Sequence, residues 1–470
     1  MIEEGIQGNA LVYVALFGWI PLILGMFAIM QPRRAVIYGF LIAWLFLPMS
    51  HLKLEGVPDY NKMSAACFGV LISALIFDSG TLFAFRPRIW DLPMLIWCVV
   101  PFFSSITNGL GPYDGLVAVS YQTTDWGLPY LIGRLYFNDL RGLRELAIGV
   151  VIGGMAYVPL CWFEIRFSPQ LHQMLYGYHQ FAFNQSRREG DFRPVVFMQH
   201  GLAVGLWMGT CAVTSFWLWR SKVIRHIWDI PMGLIFATLL VTTYFCHSTG
   251  ATILMLVGIL VLGLTQWTRS PVWILALVLA TPAYMIVRGG GFWTGNDLIN
   301  AIAAHDPERA ASLRVRFESE PAFVSRAMEQ PLFGWAGWDR FRQRDAEGNG
   351  IGVPDALWII ALGHNGLVGL ISLTLVLILP LILLWRQIPI QFWIHPGAAP
   401  AAALAVLCAL YMCDNLFNAM INPIFVLGAG GICGLTFSMR QPQTRRSFAP
   451  PAPGQPTTPT MPLKPASSGS

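Results

Sequence analysis

GLVGLISLTLVLILPLILLW, residues 366–385, runs for twenty residues without a charge. A helix needs roughly 20 mostly apolar residues to cross a bilayer. Inside the hydrocarbon no water is available, so each backbone N–H and C=O must bond within the segment. The stretch reads as a membrane helix, and the same reading extends outward along the chain. Further spans are expected at about 8–30, 35–49, 64–78, 92–107, 117–137, 145–166, 195–218, 230–246, 251–267, 272–287, 400–420 and 423–439. The expected fold is all-α, a polytopic membrane protein with about 12–13 transmembrane helices and one large, partly helical external loop. The lower count applies if the second and third spans pair as re-entrant elements.

Composition agrees. Hydrophobic residues make up 55%, charged residues 12%, and mean hydropathy is +0.55, whereas a soluble domain is about a quarter charged. The net charge of +5 is small and is read through its distribution; no nucleic-acid partner is expected. The first apolar run follows Glu3 and Glu4 rather than a basic segment and is long enough to span, so no cleavable signal peptide is expected. The eight cysteines lie in or beside apolar segments without CxxC spacing, which indicates neither a disulfide framework nor a zinc site.

Basic residues set the orientation. Arg33/Arg34, Arg86/Arg88, Arg141/Arg144, Arg220/Lys222/Arg225, Arg269, Arg386 and Arg440/Arg445/Arg446 fall in every second connection. The excess of Lys and Arg in cytoplasmic loops puts these connections inside. Four regions follow: an N-terminal transmembrane region, 1–287, of about ten helices; a large external loop, 288–365; closing transmembrane helices, 366–440; and a disordered cytoplasmic tail, 441–470, rich in Pro, Ser, Thr and Gln. No internal repeat of the kind that builds many transporters is visible.

The loop 288–365 is a polar island. It carries eight Arg and ten Asp or Glu, against 30 Lys+Arg and 25 Asp+Glu in the whole chain. It opens Gly-rich at Gly289–Gly291 and becomes mildly amphipathic up to His305. The helical pattern DPERAASLRVRFESEPAFVSRAMEQP follows over 306–331, with Leu313, Phe317, Phe323 and Met328 roughly along one side. PLFGWAGWDRF, 331–341, is a Gly- and Trp-rich turn that lets backbone and rings approach a ligand. After a polar loop, VPDALWIIALGHNGLVGL, 353–370, starts the next helix at the membrane surface.

Arg316 about fifteen residues before Pro331, the segment Pro331–Gly337, and His364-Asn365 where the next helix begins resemble the O-antigen ligase and O-antigen polymerase family of bacterial envelope proteins. The order of about ten helices, one large external loop and a few closing helices fits as well. The resemblance implies glycan transfer at the periplasmic face of the bacterial inner membrane. The donor would be an undecaprenyl-diphosphate-linked glycan; the acceptor would be a lipid A core, another carrier-linked repeat unit or a related polymer. It further implies a metal-independent glycosyltransferase without cofactor, in which arginines hold the diphosphate and a histidine is the base.

The chemistry suits those residue types. Breaking the bond between sugar and diphosphate develops negative charge on phosphate, which fixed cations stabilise. Arg binds phosphate bidentately and stays charged, and a His can take the acceptor's proton. On this reading His364 and Arg316 are the catalytic candidates. The structural alternative for His364 is a packed residue at a helix N-terminus; for Arg316 it is an i,i+4 salt bridge to Glu320. Arg314 and Arg326 are weaker substrate-binding candidates, since exposed helical arginines are ordinary. Arg193, in RREGDFRP (187–194), and His200, in the following span, could face an anionic headgroup. At Cys246-His247-Ser248-Thr249-Gly250 the chain lacks the arginine of the family's Ser-Arg, so His247 or Arg193 would supply that role. Asp125, Arg134, Glu164 and Asp414 are ionisable groups in or near spans, costly there and therefore suspect. Asp355 reads as a helix N-cap. Reaction classes outside catalysis stay open at this level: an exporter of envelope polysaccharide or lipid-linked glycan, or a non-catalytic partner of such a complex.

Overall fold

A computed structural model describes residues 8–53, 59–188, 190–337, 340–342, 352 and 354–438; the tail 441–470 lies outside the described residues. The chain is all-α. In the first half the helices are α1 (Ala10–Ile29), α2 (Pro32–Phe46), α3 (Lys62–Phe77), α4 (Leu92–Thr107), α5 (Pro112–Gln122), α6 (Leu128–Tyr136) and α7 (Leu140–Phe167). Then come α8 (Gly201–Arg220), α9 (Met232–Phe245), α10 (Thr249–Thr268) and α11 (Val272–Gly289). The island contributes α12 (Asn296–Ala303) and α13 (Pro307–Ala327); α14 (Leu357–Gln387), α15 (Ala399–Asp414) and α16 (Pro423–Ser438) close the chain. The described strands are three two-residue hairpin pairs, among them Arg187–Arg188 with Asp191–Phe192.

Seven of the described helices are long and apolar enough to cross a membrane by length and composition, so the chain is a multi-pass membrane protein. Five other expected spans fall short because α2, α3, α9, α15 and α16 have only 14 to 16 residues. The expected span 117–137 is two helices, α5 and α6, joined by a π-turn at Thr123–Gly127. That of 195–218 starts later, at Gly201, because Pro194–His200 is irregular. α8 is the centre of the bundle, with 89% of its apolar window buried. Small residues let backbones close on one another, as expected where no hydrophobic effect drives helices together. A Cβ on Gly133 of α6 would stand 2.2 Å from the Leu427 carbonyl oxygen of α16, and one on Gly430 2.1 Å from that of Tyr130.

The island is bolted to the bundle by an ion pair. The Arg288 guanidinium at the end of α11 donates to Glu320 of α13 (2.7 Å), to the Trp293 carbonyl (2.8 Å) and to the Phe317 carbonyl (2.8 Å). Tyr284 adds a hydroxyl to the same carboxylate at 3.0 Å. Glu320 is therefore not the i+4 partner of Arg316; its face of α13 turns to the membrane helix. Phe317 and Phe323 are buried as the apolar side requires, but Met328 is 47% exposed because the helix ends at Ala327.

α14 corrects a second expectation. It begins at Leu357, so His364 lies seven residues inside rather than at the helix start. Its N-cap is Ala356, without a side-chain cap. The first N–H groups go instead to the loop after α15: Leu357 donates to the Asn418 carbonyl (3.0 Å) and Trp358 to that of Asn415 (3.3 Å). The helix then breaks at Gly366, φ +63°, ψ −164°. The break frees carbonyls and N–H groups, and the island's Gly-Trp turn takes them. Trp335 and Ala336 donate to the Gly363 and His364 carbonyls (2.8 and 3.1 Å), while Leu367 and Val368 donate to those of Pro331 and Leu332 (2.7 and 3.3 Å). Two glycines make this possible. A Cβ on Gly334 (φ +70°) would meet the His364 backbone carbon at 2.5 Å, and one on Gly366 would meet the Leu332 carbonyl oxygen at 2.3 Å.

Because the obstacle at both glycines is backbone, relief by a rotamer change is not available. Gly334→Ala and Gly366→Ala are expected to destabilise by ~3 kcal/mol each. Gly250→Ala, whose Cβ meets nothing within 4 Å, should leave thermal unfolding in detergent within a degree or two of wild type, by roughly neutral surface substitution.

Candidate functional site

The irregular segment before α8 carries Arg193, which is 6% exposed. Its Nε and Nη2 donate to the His247 carbonyl oxygen at 3.2 and 2.6 Å. Its Nη1 is buried with no hydrogen-bond partner. Gly201 makes room for the stem, since a Cβ there would stand 2.2 Å from Arg193 Cδ. His247 holds its carbonyl in place from a left-handed backbone, φ +48°, and its ring Nε2 lies 3.7 Å from Asp191 Oδ2 in the hairpin.

α13 supplies the second wall. Arg316 donates weakly to Ser312 Oγ (3.4 Å) and lies 3.9 Å from Asp355 Oδ2. Its Nε is buried and has no hydrogen-bond partner, and the same holds for Nε of Arg188 in the hairpin. Three guanidinium groups from two chain segments therefore each keep a buried N–H unused.

The electrostatics tie these groups together. Burial, then the charge of Arg188, pushes the Arg193 guanidinium down to about 10, with Arg316 and Arg309 adding to the repulsion; it stays charged at neutral pH. Burial, then Arg193, Arg188 and Arg316, pushes the His200 imidazole down to about 4, so it is neutral. The Leu202 N–H donates to His200 Nδ1 (3.1 Å), which assigns the proton to Nε2 and makes it a donor. Asp414, buried at the end of α15, is within electrostatic reach of Arg316 and accepts from Asn418 Nδ2 at 2.8 Å. The arrangement is a cationic cradle with one neutral imidazole and two carboxylates at its edge. Among the described residues no group of three His, Cys, Asp or Glu side chains could hold a metal ion.

Of the residues singled out from sequence, the structure brings Arg193, Arg316, His200 and His247 to one place. Arg314 is exposed on α13. Arg326 serves the Gly-Trp turn: its guanidinium lies 3.6 Å over the Trp335 ring and pairs with Glu329, and Trp335 Nε1 donates to its carbonyl at 2.7 Å. His364 sits inside α14 with its ring 5.1 Å from Phe341, and its carbonyl accepts from Ser104 Oγ of α4 at 2.5 Å. Sequence reasoning missed two members. Arg188 passed as part of a charged loop, and Asp355 was taken for a cap. The signal for Asp355 was its position three residues past Gly352, the last Gly of a polar loop, and just before an apolar helix, where an acid has no capping partner unless the helix starts beside it.

No family model matches this chain, and no curated protein matches it either.

The cradle makes a pH prediction. An anion that neutralises the arginines raises the His200 pKa, so binding takes up a proton between the free value of about 4 and the bound one. Affinity for a disubstituted diphosphate, which has no titration of its own near neutrality, should rise as pH falls from 7 toward 4.5. In His200→Gln that slope should vanish; isothermal titration at several pH values reads both.

Proposed function

We propose that this chain is an O-antigen ligase/polymerase-type glycosyltransferase, moving a glycan from an undecaprenyl-diphosphate carrier to a lipid or glycan acceptor at the periplasmic face of the bacterial inner membrane. The observation that carries the reading is the set of buried, unbonded N–H groups on Arg188, Arg193 and Arg316. An unmet buried donor costs about 1–3 kcal/mol, more when charged. Three such arginines within electrostatic reach of one another and of His200 suit a ligand with several anionic oxygens, and a diphosphate fits. The resemblance of Arg316, the Pro331–Gly337 segment and His364-Asn365 to that family supports the same chemistry.

The reaction breaks the bond between the sugar's anomeric carbon and the diphosphate oxygen, and the electron pair leaves with the diphosphate. Arg193, Arg188 and Arg316 receive that charge, and His200 Nε2–H can add a neutral donor. The acceptor hydroxyl forms the new bond to the anomeric carbon and loses its proton. Asp355, half-exposed beside Arg316, is better situated to take it than His364, whose ring packs on Phe341. Asp414, within electrostatic reach of Arg316, offsets part of its charge. The cradle needs no metal to supply the positive charge, because the arginines supply it.

The test is a deletion strain analysed for surface and carrier-linked glycans and complemented with single variants. Arg193→Ala and Arg316→Ala should each lower transfer by about 100-fold or more. Asp355→Asn should lower it by about 100-fold, with protein accumulating normally. His364→Ala should retain transfer in proportion to the amount of folded protein. If His364→Ala abolishes transfer at full accumulation while Asp355→Asn does not, the base is His364. Unchanged glycans in the deletion strain would sink the functional reading.

A further inference from the structure

Glu164, near the end of α7, is 1% exposed. Its carboxylate is satisfied by backbone. Oε2 accepts from the N–H groups of Val195 (2.8 Å) and Val196 (2.7 Å), and Oε1 from that of Leu171 (3.0 Å). Val195 and Val196 follow Arg193 by two and three residues in the irregular run before α8. Val196 adopts φ +53°, a conformation that is a genuine outlier for a β-branched residue and stores about 1–3 kcal/mol. It persists because a carboxylate bonds two successive N–H groups there. Such charge-assisted bonds are roughly twice as strong as neutral ones.

From this we infer that Glu164 is a positioning residue for the anion cradle: by clamping Val195 and Val196 it fixes the loop that aims the unbonded Nη1 of Arg193. The inference rests on the anion-site reading given above. Three restraints act on one guanidinium. Gly201 leaves space for its stem, the His247 carbonyl takes Nε and Nη2, and Glu164 fixes the backbone that carries it. The first two orient the side chain; the third, together with Gln180 Nε2 on the Val196 carbonyl (3.1 Å), opposes the tendency of Val196 to relax into an ordinary conformation. If the clamp opens, the loop shifts, the His247 bonds lengthen and Nη1 leaves its place in the cradle. The carboxylate has two tasks: Oε1 takes the first N–H of the short helix Leu171–Tyr176, and Oε2 takes the strained residue beside the arginine.

The test uses the full chain in lipid nanodiscs, with inorganic pyrophosphate as the probe. Dissociation constants are measured for wild type, Glu164→Gln, Arg193→Lys and the double variant. Gln keeps the shape but turns one accepting oxygen into an NH2 group facing N–H donors. Glu164→Gln is expected to weaken binding about tenfold, yet to add less than about twofold on top of Arg193→Lys, since contacting residues are coupled. Val196→Gly removes the strain and should return at least about threefold of the loss in the Glu164→Gln background. A purely structural carboxylate would lower stability in both backgrounds and show no such rescue. An equal effect of Glu164→Gln with and without Arg193, or an unchanged Kd, overturns the inference. Should Glu164→Gln fail to accumulate, Glu164→Asp is read in its place, and wild-type affinity in that variant overturns it as well. A wild-type chain that does not bind pyrophosphate sinks the anion site itself; binding that is indifferent to Glu164 sinks only the role of Glu164.

Discussion

Hydrocarbon offers no hydrogen bonds, and the architecture around the cradle follows from that. Wherever the backbone leaves the helical pattern, another segment must take up the freed groups. At Gly366 the broken helix exchanges four bonds with the turn Pro331–Ala336, and the two glycines that face each other there have room for nothing larger than hydrogen. At Val195 and Val196 a carboxylate does the same task. At the start of α14 the carbonyls of Asn415 and Asn418 do it. Irregular backbone in a membrane protein is tolerated where it is buried in protein, and Val195, Val196, Leu357 and Asn365 are all buried.

Bond accounting separates two kinds of arginine. Arg288 spends its donors on Glu320, Trp293 and Phe317, and Arg134 spends Nε and Nη2 on Asp91 and the Arg86 carbonyl. Both are buried and saturated, as a structural cation in a low-dielectric setting must be. Arg188, Arg193 and Arg316 each keep a buried N–H unbonded, and Arg188 and Arg316 both repel Arg193. A fold that only needed stability would replace such charges with apolar side chains of similar volume. The uncompensated charge is what marks the place, more than the number of arginines in the island.

The membrane helices were legible because the apolar runs are long and the physics of insertion depends on little else. Helix ends and partners were not. An i,i+4 rule assigned Glu320 to Arg316, but that rule assumes a helix in water; α13 lies on α11, and residue 320 faces Arg288 across the contact. His364 looked like the first residue of a helix because hydropathy rises after it. In the structure the apolar run Leu357–Gly363 is already helical, and the helix-breaking residue is Gly366, whose positive φ no hydropathy pattern encodes. Arg193 was legible for the opposite reason. A charge at the edge of a span has few innocent explanations, and this one has a buried N–H with no bond.

The two walls of the cradle come from segments more than a hundred residues apart, the hairpin with Arg188 and Arg193 and the helix with Arg316. Like charges do not bring them together. What does is the scaffold outside the cradle: Arg288 with Glu320 fixes α13 on α11, the Gly-Trp turn fixes the island on α14, and Glu164 fixes the loop of Arg193 on α7. The energy that holds the arginines is thus supplied by bonds that no ligand touches, and none of it has to come from the ligand. On the proposed reading, an arriving diphosphate meets donors already in place, and their reorganisation adds nothing to the barrier. That is the condition under which fixed cations accelerate the departure of a phosphate leaving group. A looser site with the same arginines would bind the anion and stabilise the departing charge less.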